Sequence, residues 1–95
     1  KQQYVTIDGG QGFIRISIDE ASGDIFLLAM DLDSQDGPCS FTITDTNGNE
    51  LASVDIRTDR YLDGVSLSVD PTLLAGARFE LRDADNRVIA SSTFA

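Results

Sequence analysis

The sequence predicts an all-β protein, an antiparallel β-sandwich of seven to eight strands with an immunoglobulin-like architecture. Three observations support this prediction: eight short runs of alternating or β-rich composition, turn-forming residues between them, and almost no helical periodicity. The runs recur about every ten residues, which is typical of a sandwich, with a small barrel as the alternative. We expect residues 1–95 to form a single domain, because a chain of 95 residues has room for one core.

The first three runs form the N-terminal half of the predicted fold. YVTID and FIRISID alternate in polarity, so that Ile14, Ile16 and Ile18 share one face. DIFLLAMDLD differs, because it is apolar at both parities through Leu28. This pattern predicts a central strand that is covered on both sides, or a strand that contains a bulge.

Two later stretches resemble each other at a spacing of 38 residues. FTITDTNGNELAS covers 41–53 and FELRDADNRVIAS covers 79–91. We predict two hairpins with two-residue primed turns centred on Asn47-Gly48 and Asp85-Asn86. The repeat therefore reflects the same way of building a hairpin, used twice.

These turns fix a register that places one apolar face of each hairpin inward. Phe41 is predicted to face Val54, and Phe79 to face Ser92. The complete inward set is predicted to be Val5, Ile7, Ile14, Ile16, Ile18, Phe41, Ile43, Val54, Leu67, Phe79, Leu81 and Phe94.

Aspartates lie at the predicted turns that follow the first three strands. Asp45 and Asp83 precede the two turns, where a carboxylate can accept backbone N–H bonds. In DPTLLAG, Asp70 can cap a short helical turn that starts at Pro71 and leaves at Gly76.

The charge balance is strongly acidic. Sixteen acids, thirteen of them aspartate, face seven bases, and the net charge is −9. Such a surface repels nucleic acid and anionic lipid, so neither nucleic acid nor membrane insertion is expected. The remaining roles for the acidic surface are solvation, cation binding and contact with a partner that has a basic face. An Asp-rich surface with a single lysine also favours an extracytoplasmic protein, periplasmic or secreted.

The residue inventory excludes several catalytic chemistries. There is no histidine, and Cys39 is the only cysteine, which rules out Ser-His-Asp and Cys-His sites, a histidine zinc site and an internal disulfide. Cys39 is expected to be a small buried side chain. A site built on carboxylates alone needs an enclosed cleft, so we expect the chain not to be an enzyme.

Only one candidate cofactor emerges, which is calcium. MDLDSQDG brings Asp31, Asp33 and Asp36 close together, and a hard cation needs several oxygen ligands at once. The alternative is that these carboxylates only solvate the end of a strand.

The candidate interaction residues are Tyr61 and Arg60 in the loop-like segment RTDRYLDG, because tyrosine and arginine are enriched at interface hot spots. The alternative is an ordinary loop. Tyr4 is the other candidate exposed aromatic, since the phenylalanines are assigned mainly to the core. Both terminal strands could also add to the sheet of a partner.

The run from FTITDTNGNELAS to VSLSVDPTLLAGARFELRDADNRVIAS resembles bacterial immunoglobulin-like and fibronectin-like sandwich modules. The strand order is also similar to that of the small periplasmic curli chaperones. The stretches that carry this resemblance are, in order, SIDEASGDIFLLAMDL, Cys39 leading into FTI, VSLSVDP and RFELRDADNRVIASSTF. The first resemblance implies the sandwich fold. We expect a non-enzymatic extracytoplasmic module with a role in protein–protein interaction, or with an accessory or structural role. The second resemblance implies a chaperone-like inhibitor of amyloid fibre assembly, and a calcium-stabilised spacer or adhesion module is a further alternative.

Overall fold

The computed structural model of the chain describes residues 1–9, 12–32, 38–56 and 63–95, and shows eight strands in two antiparallel sheets. The strands are β1 (Gln2–Thr6), β2 (Phe13–Ile18), β3 (Asp24–Met30), β4 (Cys39–Thr44), β5 (Glu50–Ile56), β6 (Asp63–Ser68), β7 (Arg78–Arg82) and β8 (Val88–Thr93). The first sheet has the order β1-β2-β3-β6, and the second has the order β5-β4-β7-β8. The predicted class, an antiparallel β-sandwich, is confirmed.

Alternation along the strands of the first sheet aligns its inward residues. In the β2–β3 pair, Ile16 lies opposite Leu27 and Ile18 opposite Ile25, and all four side chains are buried. Since side chains alternate between the two faces of a strand, the intervening residues of each strand point outward.

The core lies between the sheets and has packed phenylalanine rings at its centre. The rings of Phe41 and Phe79 stack with centroids 5.9 Å apart, and Phe94 meets Phe79 edge-on at 6.3 Å. Cys39 is buried, as expected. Every member of the predicted inward set belongs to this core or packs against it.

The two hairpins have the predicted register but not the predicted turns. Phe41 pairs with Val54 and Phe79 with Ser92. Each loop has three residues instead of two, and only its third residue adopts a positive φ, 86° at Gly48 and 64° at Asn86 in the two hairpins. A register shift beside each loop restores the expected pairing further along the strands.

The aspartate before each loop organises it. Asp45 Oδ1 accepts the N–H groups of Asn47 and Asn49 at 2.8 and 2.9 Å. Asp83 Oδ1 accepts two equivalent bonds, one of them from the N–H of Arg87 at 2.9 Å. The bonds from Asn49 and Arg87 are the largest cause that lowers the pKa of the two carboxyls below their ordinary value.

The predicted helical turn is a single 3₁₀ turn at Pro71–Leu73. Asp70 caps it by accepting the Thr72 N–H at 3.0 Å, and the bonds from Thr72 lower the pKa of Asp70. Gly76 follows with φ 76°. Among the described residues, no helix has the length and apolar character that crossing a membrane requires.

The two terminal strands are edge strands, as predicted, and they lie against each other. The Gln3 amide of β1 donates to Ser92 Oγ at 3.0 Å and to the Thr93 carbonyl of β8 at 2.7 Å. These bonds join the two sheets along one side of the sandwich.

Candidate functional site

The outward side of the first sheet carries aromatic and aliphatic side chains. We call this surface the aromatic face, and it comprises Tyr4, Phe13, Arg15, Phe26, Leu28 and Met30. Tyr4 is 50% exposed and Phe26 is 43% exposed, while the other four are half-buried. The residues of the first sheet that belong to the core lie on its opposite side. A solvent-facing apolar patch of this kind marks an interaction site in many proteins.

Cross-strand pairing holds the aromatic side chains in place. Tyr4 meets Phe13 edge-on with ring centroids 5.8 Å apart. The ring of Phe26 leans over Gly64 of β6, because a Cβ built on Gly64 would lie only 2.8 Å from Phe26 Cζ. The glycine thus provides the room in which this ring lies across the edge strand.

Arg15 lies in the middle of the aromatic face. Its neighbours across the sheet are Tyr4 of β1 and Leu28 of β3. The Arg15 Nε atom is buried and has no hydrogen-bond partner among the residues described. Arg15 is thus half-buried between an aromatic and an aliphatic neighbour, and arginine is one of the side chains that contribute most to binding at protein interfaces.

A groove lies at the Phe26 end of this face. It has a volume of about 610 Å³ and crosses all four strands of the first sheet. Ser17 and Ser66 flank Phe26 across the sheet, and Asp24 precedes it by two residues on the same side of β3. Asp19 also lines the groove. The groove therefore combines an aromatic ring, two hydroxyls and two carboxylates with the cationic Lys1.

The outer face of the second sheet has a different character. Glu80 is 7% exposed and lies between two arginines, with Arg78 Nε 2.9 Å from its Oε2 and Arg82 donating to its Oε1. On the adjacent strands, Thr42 and Ser53 share a hydrogen bond of 3.2 Å. Polar groups of this face satisfy one another, so the face resembles an ordinary solvated sheet surface.

Of the five residues predicted to form sites, the structure describes Asp31. It is exposed, follows the last residue of β3 and has φ 55°, a left-handed conformation that aspartate tolerates. Asp33, Asp36, Arg60 and Tyr61 lie outside the described residues. The calcium site and the Tyr61 hot spot therefore stay predictions. Within the described ranges, no group of three acidic, histidine or cysteine side chains is placed to hold a metal ion.

Sequence reasoning missed the aromatic face. Tyr4 is exposed, as expected of a candidate exposed aromatic, but the phenylalanines were assigned mainly to the core, and Phe13 and Phe26 lie on the outward side of the first sheet. The available signal was the run DIFLLAM, which is apolar at both parities. This run predicts a strand that is covered on both sides or that contains a bulge, whereas the side with Phe26 and Leu28 faces outward.

Cys39 does not contribute to this site. Its side chain is buried beneath the second sheet, and burial, followed by the negative charge of Asp83, raises the pKa of the thiol. Both effects disfavour the reactive thiolate.

Comparison with known proteins shows a structural likeness. No protein-family model matches the chain, and no curated protein matches it either. The chain is similar to part of a solved structure titled endonuclease/exonuclease/phosphatase, from Beutenbergia cavernae DSM 12333. The TM-score is 0.61 and the identity 18%, over 97% of this chain and 26% of that one. At this identity the likeness shows the fold, and the chain spans about a quarter of its relative.

This comparison corrects one expectation. The sequence predicted that the chain is not an enzyme, and the finding contradicts that prediction, because the same fold occurs within a chain titled as an endonuclease/exonuclease/phosphatase. The absence of histidine excludes particular catalytic groups within these 95 residues. It does not exclude a domain that forms part of an enzyme, which is why the prediction went too far.

Proposed function

We propose that this chain is a binding module that takes a protein partner on the aromatic face of its first sheet. The observation that carries the proposal is the solvent exposure of Tyr4 and Phe26 beside the half-buried Arg15, whose Nε has no hydrogen-bond partner among the described residues. Tyrosine and arginine, together with other aromatic residues, are the side chains that contribute most to protein interfaces.

The size of the face is consistent with the centre of an interface. Neighbouring strands lie about 4.8 Å apart and residues about 3.4 Å apart along a strand, so the face measures roughly 15 by 20 Å. That is about 300 Å², compared with about 800 Å² per partner in a stable complex. The partner must therefore also contact the residues around the aromatic face.

Those surrounding residues determine the chemistry of the partner. Asp19, Glu20 and Asp24 lie at one end of the first sheet, and Asp8 and Asp31 lie at the other, all of them exposed. The complementary surface has an apolar centre and basic flanks. A second copy of this chain fits poorly, since each copy carries a net charge of −9. The acidic composition with a single lysine further supports an extracytoplasmic location.

A library of random 12-residue peptides displayed on phage, selected against the immobilised protein, tests the proposal. We expect the enriched peptides to bind the native protein and to lose binding to the double variant Tyr4→Ser with Phe26→Ser. Val88→Ser is the matched control, because Val88 is also 43% exposed but lies in the second sheet. Peptides that bind the double variant as well as the native protein, or that depend on Val88, contradict the proposal.

Inhibition of amyloid assembly is a second candidate, and the exposed aromatic face favours it. A β-sheet surface with free aromatic rings can cover the apolar side chains of an aggregation-prone strand. The native protein is then expected to delay fibre formation by a curli-type subunit at substoichiometric amounts, as followed by thioflavin fluorescence. A delay that is unchanged in the Tyr4→Ser, Phe26→Ser variant removes the aromatic face as its cause.

A further inference from the structure

The groove beside Phe26 differs chemically from the rest of the aromatic face. Around Tyr4 and Leu28 the surface is mainly apolar, whereas the groove adds the carboxylates of Asp19 and Asp24 to the ring of Phe26. From these residues we infer that the groove is a receptor for a cationic side chain of the partner, with arginine preferred over lysine. The inference rests on the proposed function, and it identifies which group of the partner the groove binds.

The spacing on β3 suits a guanidinium group. Asp24 and Phe26 are two residues apart on the same strand and project to the same side, which places them about 7 Å apart. A planar guanidinium can stack on the exposed ring and extend its N–H groups to the carboxylate. Lysine offers a point charge and cannot stack in this way.

Asp24 is available for this role. It is exposed, and its carboxylate has no ion-pair partner within the described ranges, where its backbone N–H donates to Ser22 Oγ at 3.1 Å. Asp19 uses Oδ1 to accept the N–H groups of Ala21 and Ser22 at 3.0 and 3.3 Å. These bonds fix the Asp19 carboxylate at the rim of the groove.

The positive charge of Lys1 does not cancel the negative electrostatic potential of the groove. Lys1 also lines the groove, but its Nζ lies 3.8 Å from Glu20 and 4.5 Å from the centre of the Phe94 ring, and its backbone ammonium donates to the Ile18 carbonyl at 3.1 Å. With Lys1 engaged in those contacts and a chain charge of −9, the groove attracts a cation. Hydroxyls of Ser17 and Ser66 at its sides can accept the remaining N–H groups of a guanidinium.

The size of the groove agrees with this ligand. A volume of about 610 Å³ lies within the range of ~300–1,000 Å³ found for small-ligand sites. It exceeds the volume of one side chain, which leaves room for the backbone of the partner segment that presents the arginine.

The test is an amide NMR titration of the native protein with N-acetyl-arginine amide, at ionic strength held constant with sodium chloride. N-acetyl-citrulline amide is the neutral comparison, because citrulline replaces the guanidinium by a urea of nearly the same shape. We expect saturable shifts at Ser17, Phe26 and Ser66 with arginine and not with citrulline. Lysine amide is expected to bind more weakly than arginine amide.

Three variants examine the individual contacts. Asp24→Asn and Phe26→Leu are each expected to weaken binding about 2- to 5-fold, the range for an exposed ion pair or an exposed cation–π contact. Asp55→Asn is the matched control, since Asp55 is an exposed aspartate on β5 of the other sheet, and it is expected to leave binding unchanged.

The contradicting outcomes are distinct from failure of the proposed function. Equal binding of citrulline, shifts confined to the second sheet, or saturable binding of methyl glucoside in place of arginine overturns the cationic site. If library peptides still require Tyr4 and Phe26 while any of these holds, the aromatic face remains a binding surface and only its cationic receptor is lost.

Discussion

Phe26 and Phe79 allow the binding role of a side chain to be separated from its structural role. Phe79 is completely buried and contacts two other rings, whereas Phe26 is 43% exposed on the aromatic face. Replacing Phe79 with Ala removes a buried ring and leaves a cavity, which costs about 3–5 kcal/mol. That is much of the roughly 5–15 kcal/mol by which a small domain is stable.

Phe26→Ala is expected to cost far less. Burying a whole phenylalanine side chain contributes about 1.5–3 kcal/mol, and a little over half of this side chain is covered, so its removal costs about 1–1.5 kcal/mol. No closed cavity forms, because water reaches the vacated surface.

Urea unfolding followed by circular dichroism measures both variants against the native protein. With a slope of about 1 kcal/mol per M for a domain of this size, the unfolding midpoint should fall about 1 M for Phe26→Ala and at least twice as far for Phe79→Ala. Equal losses would mean that Phe26 is part of the core, and that the aromatic face is not a free surface.

Three further predictions concern loops. Gly48→Ala is expected to lower the free energy of unfolding by about 1–2 kcal/mol, because alanine is strained at a positive φ. Gly23→Ala is expected to lower it clearly more in urea unfolding, because its Cβ would also lie 2.0 Å from a backbone carbonyl oxygen. Asp45 and Asp83 have folded pKa values below the unfolded ones, so their stabilisation is present above about pH 4 and is lost as the pH falls through the folded values. Replacing both with Asn should flatten the acid limb of a stability–pH profile, and an unchanged limb would contradict this origin. Millimolar calcium should raise the melting temperature more than magnesium does at equal ionic strength, because calcium at 100 times its Kd stabilises the folded state by about 2.7 kcal/mol. Asp31→Asn should reduce the difference between the two ions, whereas equal effects of both ions would indicate charge screening.

The strands and their register could be predicted because alternation records which side of a strand is buried. Turns centred on Asn47-Gly48 and Asp85-Asn86 give a pairing that keeps the inward residues of each hairpin on the same face, and the structure has that pairing. A shift of one residue would have turned each stripe towards water.

The turn type could not be predicted from the same pattern. A two-residue primed turn and a three-residue loop followed by a bulge give the same pairing beyond the loop, so polarity does not distinguish them. The presence of Gly48 and Asn86 indicated a positive φ without showing how many loop residues require it.

The candidate site was hidden for a different reason. Apolar residues at both parities of β3 show that both sides of the strand avoid full hydration, but not whether the cover belongs to this chain or to a partner. The second sheet packs on the side that contains Leu27, while the side with Phe26 and Leu28 is left outward. Only the placement of all four strands of the first sheet shows that its aromatic residues form one surface.

The central claim is that the aromatic face of the first sheet is where this chain binds its partner. The most direct test is the dissociation constant of one library-selected peptide for the native protein, Phe26→Ser and Val88→Ser. The account predicts a ~30-fold loss for Phe26→Ser, as expected for an interface hot spot of about 2 kcal/mol, and no change for Val88→Ser. Equal affinities for all three proteins would show that the partner binds elsewhere on the sandwich.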